Sequence, residues 1–146
     1  MKHKIVFNNE NIDFQLNKSN EIRNWLTDVL SSKSFQPSLI NYIFCSDEYL
    51  LNINISFLNH DFYTDIITFP YNTSSDGLVS DIFISIDRVR ENAKDLEVSF
   101  DDELHRVMVH GILHLIGYDD HSDEDETEMR RMEDYYLNLR PKDFQS

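Results

Sequence analysis

The chain has 146 residues, 40% of them hydrophobic and 12% aromatic, which suits one domain with an apolar core and excludes a disordered composition. A formal net charge of −14 and a pI near 4.6 argue against a general basic nucleic-acid-binding surface. With Cys45 as the single cysteine there is no internal disulfide framework, and no apolar run approaches the roughly 20 residues of a membrane span, so a soluble cytoplasmic protein is expected.

The first residues, MKHKIVFNNENIDF, hold only a three-residue apolar run and do not form a signal peptide; KIVF (4–7) reads as a short strand. Residues 19–32 place Ile22, Trp25, Leu26, Val29 and Leu30 at helical spacing, with Ser19 as the expected N-cap. LINYIFCS (39–46) alternates as a strand, and residues 46–58 open on Ser46 and form a helix despite their isoleucines. DIITFPY (65–71) and LVSDIFISI (78–86) are strands joined by the polar turn NTSSDG, a hairpin pattern. Three helices follow: a surface one over 87–97, a mostly buried one over 100–116, and one over 122–139 with Ser122 and Asp125 in capping-box-like positions and Pro141 just beyond. Strands and helices in this mixture predict a single α+β domain over 1–146, with a small four-stranded mixed sheet and helices packed on it.

The chemistry concentrates in HGILHLIGYDDH, residues 110–121. Residues four apart on a helix stack on one face, roughly 6 Å apart. His110 and His114 can therefore direct both imidazoles at one ion, and burying them with no partner would be costly. Gly117 lets the chain turn sharply after the helix, bringing Asp120 and His121 within range as a third ligand. Three protein ligands with an open fourth position describe a catalytic zinc site, one Zn2+ per chain, on a buried helix and the turn after it. A zincin peptidase carries a glutamate directly after the first histidine as general base. Here that residue is Gly111, so a small metallopeptidase ranks low.

The same string resembles the signature of the YbeY endoribonucleases: histidine, glycine, any residue, leucine, histidine, leucine, any residue, glycine, tyrosine, aspartate, histidine. DFYTDIITFPY (61–71), SDIFISIDRVRENA (80–93) and RRMEDYYL (130–137) are similar to further segments of that family, in order, over roughly 47–137. The resemblance implies an α+β fold with a metal in a cleft. It also implies a metal-dependent, single-strand-specific endoribonuclease acting in maturation of the small-subunit (16S) ribosomal RNA 3′ end and in ribosome quality control. Single-stranded or ribosomal RNA and ribosomal or ribosome-assembly proteins are the partners implied, with no membrane.

The chain departs from the family pattern at three points. Asp120 stands where the third metal ligand is a histidine, and His121 comes one residue late; an aspartate oxygen suits zinc equally, so Asp120 is favoured and His121 is the alternative. The arginine expected to face substrate phosphate is Leu58, and a nearby lysine is His60, which removes a bidentate phosphate contact. The strand glycine is Ser80, a minor change. His60 is the candidate catalytic residue, as proton donor or phosphate contact. Arg88, Arg90 and Lys94 on one helix are candidates for the RNA backbone, and Asp81 for a carboxylate behind a metal-bound histidine. Tyr118 and Asp119 are read as turn and packing residues. The rival to a nuclease is a metal-binding ribosome-assembly factor that does not cut.

Overall fold

The computed structural model describes residues 4–144. Among them lie β1 (Ile5–Glu10), α1 (Ser19–Ser32), β2 (Pro37–Cys45), α2 (Asp47–Leu58), β3 (Ile66–Asn72), β4 (Leu78–Ser85), α3 (Ile86–Leu96), α4 (Phe100–Leu115) and α5 (Asp123–Asn138). The four strands form one mixed sheet of order β1-β2-β4-β3 in an α+β fold. β1–β2 and β2–β4 are parallel, and β3–β4 is the antiparallel hairpin. β1 runs past its apolar run because all six of its residues pair with β2, so the polar NNE segment is held by its neighbour. Pro70 lies on the edge strand β3, where its missing N–H breaks no interior ladder; the register shifts between Pro70 and Asn72.

Alternation along the strands sorts the two faces. Ile40, Tyr42 and Phe44 on β2, with Leu78, Ile82 and Ile84 on β4, are buried in the main core with α1, α4 and α5. On the opposite face, Cys45, Leu50 and Ile67 form a smaller cluster under α2 with Tyr49, Phe69 and Phe83. Ser46, Ser85, Ser99 and Ser122 cap α2, α3, α4 and α5, each accepting from the backbone N–H three residues on. Ser19 does not cap α1. The chain enters that helix through left-handed Lys18, so Ser19 is already its first residue and no side chain caps the start.

Helix α4 crosses the middle of the fold, burying Leu104, Met108, Ile112 and Leu113 completely or nearly so. Each such side chain stabilises by roughly 1.5–3 kcal/mol relative to exposure. Tyr42 ties the sheet to it by donating its hydroxyl to the Met108 carbonyl at 2.7 Å. Gly111 sets how closely the helix approaches: a Cβ there would lie 3.1 Å from Ile66 Cδ1 and 3.2 Å from Ile82 Cγ2. Position 111 thus faces the sheet, while His110 and His114 line a cleft beside β3.

Candidate metal centre and its cleft

The two imidazoles sit one turn apart on α4, their ring centroids 5.2 Å from each other. The helix ends in a Schellman motif, in which Tyr118 N–H donates to the Leu113 carbonyl and Gly117 N–H to that of His114. Gly117 takes φ +110°, a conformation that favours glycine, and Tyr118 anchors the turn by packing on the core. The chain therefore doubles back and sets Asp120 across both rings: Oδ2 lies 3.5 Å from His110 Nε2, and Oδ1 lies 3.5 Å from His114 Nε2. Donors about 2.0–2.2 Å from a tetrahedrally bound ion stand about 3.3–3.6 Å apart. The donor atoms of His110, His114 and Asp120 all lie within 4.8 Å of one another, so this group can hold a metal ion. His121 lies outside the group. Its side chain is 80% exposed at the rim, 3.8 Å from Asp119.

Behind the rings stands a residue that the sequence patterns did not single out. Glu133 of α5, 5% exposed, accepts from His110 Nδ1 at 2.7 Å. Its other oxygen is held by Arg106 Nη1 at 2.9 Å, and Arg106 Nη2 reaches Asp134 at 2.6 Å. With Nδ1 donating to Glu133, Nε2 of His110 keeps its lone pair for the cleft. Asp81 does not take this part. It lies on the opposite face of β4, where it accepts from the Tyr71 hydroxyl at 2.9 Å and from Asn41. The signal for Glu133 was present in α5: it falls in the buried stripe of Met129, Met132, Tyr136 and Leu137, and a carboxylate at a core position needs a partner.

The cleft has a volume of about 910 Å³, and among its charged lining residues carboxylates outnumber guanidinium groups, with Asp65, Glu103, Asp120, Glu126 and Glu133 against Arg106 and Arg130. Burial disfavours charge on His110, but the hydrogen bond and charge of Glu133, with Asp120 and Asp65, outweigh it and raise its pKa. Burial raises the pKa of Asp65, a rise that His110 only partly offsets. Glu103 is raised by burial and by Asp65. A site with this surplus of negative charge is stabilised by a cation.

The other residues read from the sequence divide. Leu58 and His60 line the same cleft, with His60 stacked on Phe62. Arg88, Arg90 and Lys94 do not line it. Arg88 pairs with Asp47 at 2.7 Å and lies over Tyr63, Arg90 lies over Phe100, and Lys94 is exposed on α3. A shared helix did not mean a shared outlook onto the cleft.

Fold and site together define a small α+β protein whose central helix and following turn present two histidines and an aspartate, arranged for a metal ion, to a cleft. The family model described as Endoribonuclease YbeY matches residues 4–140. The chain is 51% identical to the Endoribonuclease YbeY of Flavobacterium psychrophilum, over 92% of this chain and 95% of that one. It is 48% identical to that of Cytophaga hutchinsonii, over 93% and 95%. A solution structure from Thermotoga maritima matches it with a TM-score of 0.63 at 26% identity, covering 92% of this chain and 87% of the other. The chain belongs to the YbeY family.

Proposed function

We propose that the protein is a zinc-dependent endoribonuclease, one domain over residues 1–146, that cuts single-stranded RNA in the cytoplasm. Its place is maturation of the 16S ribosomal RNA 3′ end and ribosome quality control, alongside ribosomal or ribosome-assembly proteins. The observation that carries this reading is the 3.5 Å spacing of Asp120 from both imidazoles, in a chain whose relatives are named endoribonucleases. No helix among the described residues is long and apolar enough to cross a membrane.

His110 and His114, through Nε2, and Asp120 would hold the ion, with His121 outside the set. Zinc, when bound, supplies a polarising charge for a phosphoryl oxygen and lowers the pKa of its water. Glu133 keeps the His110 ring in one tautomer and orientation, and Arg106 keeps Glu133 in place. Asp65, half-buried in the cleft with its pKa raised by burial, is the side chain suited to accept a proton from the attacking oxygen. His60 lines the cleft among its exposed residues, where a proton donor or phosphate contact would meet the substrate. Arg88, Arg90 and Lys94 remain candidates only for RNA running outside the cleft.

One observation favours a second reading, a metal-binding assembly factor that binds RNA without cutting it: Leu58 lines the cleft where the family resemblance expects an arginine. The peptidase reading has no such support, because the position directly after His110 is Gly111 and supplies no general base. Incubating zinc-loaded protein with labelled single-stranded RNA and with casein, beside His114→Ala, separates the three. Cleavage of RNA that is lost in His114→Ala is expected. RNA cleavage that survives the substitution contradicts the proposal, and binding without cleavage gives the assembly factor.

A further inference from the structure

The cleft has a second wall, and it is aromatic. Helix α2 ends at Asn59, whose left-handed backbone (φ 55°) turns the chain back toward the sheet. Asn54, only 1% exposed, holds the following loop at two points: its carbonyl accepts from His60 N–H at 3.0 Å, and its Nδ2 donates to the Phe62 carbonyl at 2.9 Å. Between these anchors the rings of His60 and Phe62 stack, with centroids 5.2 Å apart and planes 20° from parallel. Both line the cleft, and Phe62 is 54% exposed. A buried asparagine thus fixes the backbone of the loop that presents these rings to the cleft.

The charges of the cleft limit what that face can receive. Carboxylates outnumber cations along the lining, and Arg106 is already paired with Glu133 and Asp134. Besides the metal centre and Arg130, the lining offers a phosphate few cations, so the flat π surface adds a recognition element that does not depend on charge. Stacking on an aromatic side chain is worth about 5- to 150-fold in affinity per base and tolerates any sequence. Only an unpaired base has a face free to make that contact.

We propose that His60 and Phe62 form a stacking subsite for one unpaired nucleobase of the RNA substrate, beside the histidine–aspartate cluster. The subsite rests on the ribonuclease reading above and supplies its preference for single strands, since a base inside a duplex has both faces covered. Because His60 backs Phe62 and Asn54 holds the loop, the platform is formed before the base arrives and little ordering is needed on binding.

The test titrates the zinc-loaded chain with short single-stranded RNAs carrying 2-aminopurine, or an abasic site, at each position in turn. The expected result is quenching of the probe at one register. Phe62→Ala weakens binding about 5- to 100-fold and abolishes that quench, while Phe62→Tyr keeps both. An abasic site at the same register weakens wild-type binding equally and adds nothing to Phe62→Ala. Thermal unfolding of the variants, unchanged for so exposed a side chain, checks the fold. Unaltered affinity and quenching in Phe62→Ala, or losses that simply add, overturn the subsite while the ribonuclease reading stands. RNA neither bound nor cut by the wild-type protein overturns the ribonuclease reading, and the subsite with it.

Discussion

The two walls of the cleft are built in opposite ways. On one, α4, its Schellman turn and α5 set His110, His114, Asp120 and Glu133 over a packed core, with Glu133 hydrogen-bonded to His110. On the other, the α2–β3 connection offers Leu58, His60 and Phe62 as exposed side chains, with one buried asparagine keeping the loop in shape. A metal shell fails if its donors move by a few tenths of an ångström, so rigidity belongs there. A stacking face tolerates any base and needs only to be open.

Three substitutions sharpen this contrast. The largest effect is expected from Asp65→Asn, which removes a proton acceptor but no metal donor. Single-turnover cleavage should slow by about 10²- to 10⁴-fold with zinc stoichiometry unchanged; a normal rate would remove Asp65 from the mechanism. Glu133→Gln should weaken zinc affinity about 10- to 100-fold, measured by chelator competition, with base stacking at Phe62 undisturbed. An equal loss of stacking would mean that the two walls are not separable.

The smallest effect concerns the support under α4. His105, 4% exposed, accepts from Arg140 at 2.8 Å, and burial together with Arg140 holds its pKa down to about 4, against 6.5 ordinarily. Below about pH 6.5 the unfolded chain takes up a proton that the folded chain refuses until about pH 4. Folding stability is therefore lost as pH falls through that window, on the order of 2 kcal/mol between pH 7 and 5. Denaturant unfolding of His105→Gln should show a shallower decline by that amount, and a parallel decline would clear His105 of the effect.

Much of this was legible in the chain because it is local. Helical spacing marked α1, the capping-box-like Ser122 and Asp125 marked α5, and the polar turn marked the β3–β4 hairpin; the four-residue spacing with Gly117 marked His110 and His114 with Asp120 or His121, between which the family resemblance favoured Asp120. Ser19 misled because a cap depends on the backbone entering the helix, and left-handed Lys18 shifted that entry by one residue. The stripe of α5 flags Glu133 as a buried carboxylate, but its partner, like the place of Asp65, was hidden for a different reason. Their roles come from packing between segments distant in sequence: Glu133 meets His110 from 23 residues away, and Asp65 reaches the cleft from the start of the hairpin. Arg88, Arg90 and Lys94 show the converse, since a charge run says nothing about which side of a helix looks at a site, and Arg88 is paired with Asp47.

The most direct measurement is X-ray absorption at the zinc edge on the loaded protein, with Asp120→Ala alongside. The account predicts near-stoichiometric zinc with two imidazole nitrogens at about 2.0–2.1 Å and oxygen donors at about 2.0–2.2 Å, and loss of one oxygen shell in the variant. Sub-stoichiometric zinc, or a shell without paired histidines, would contradict it.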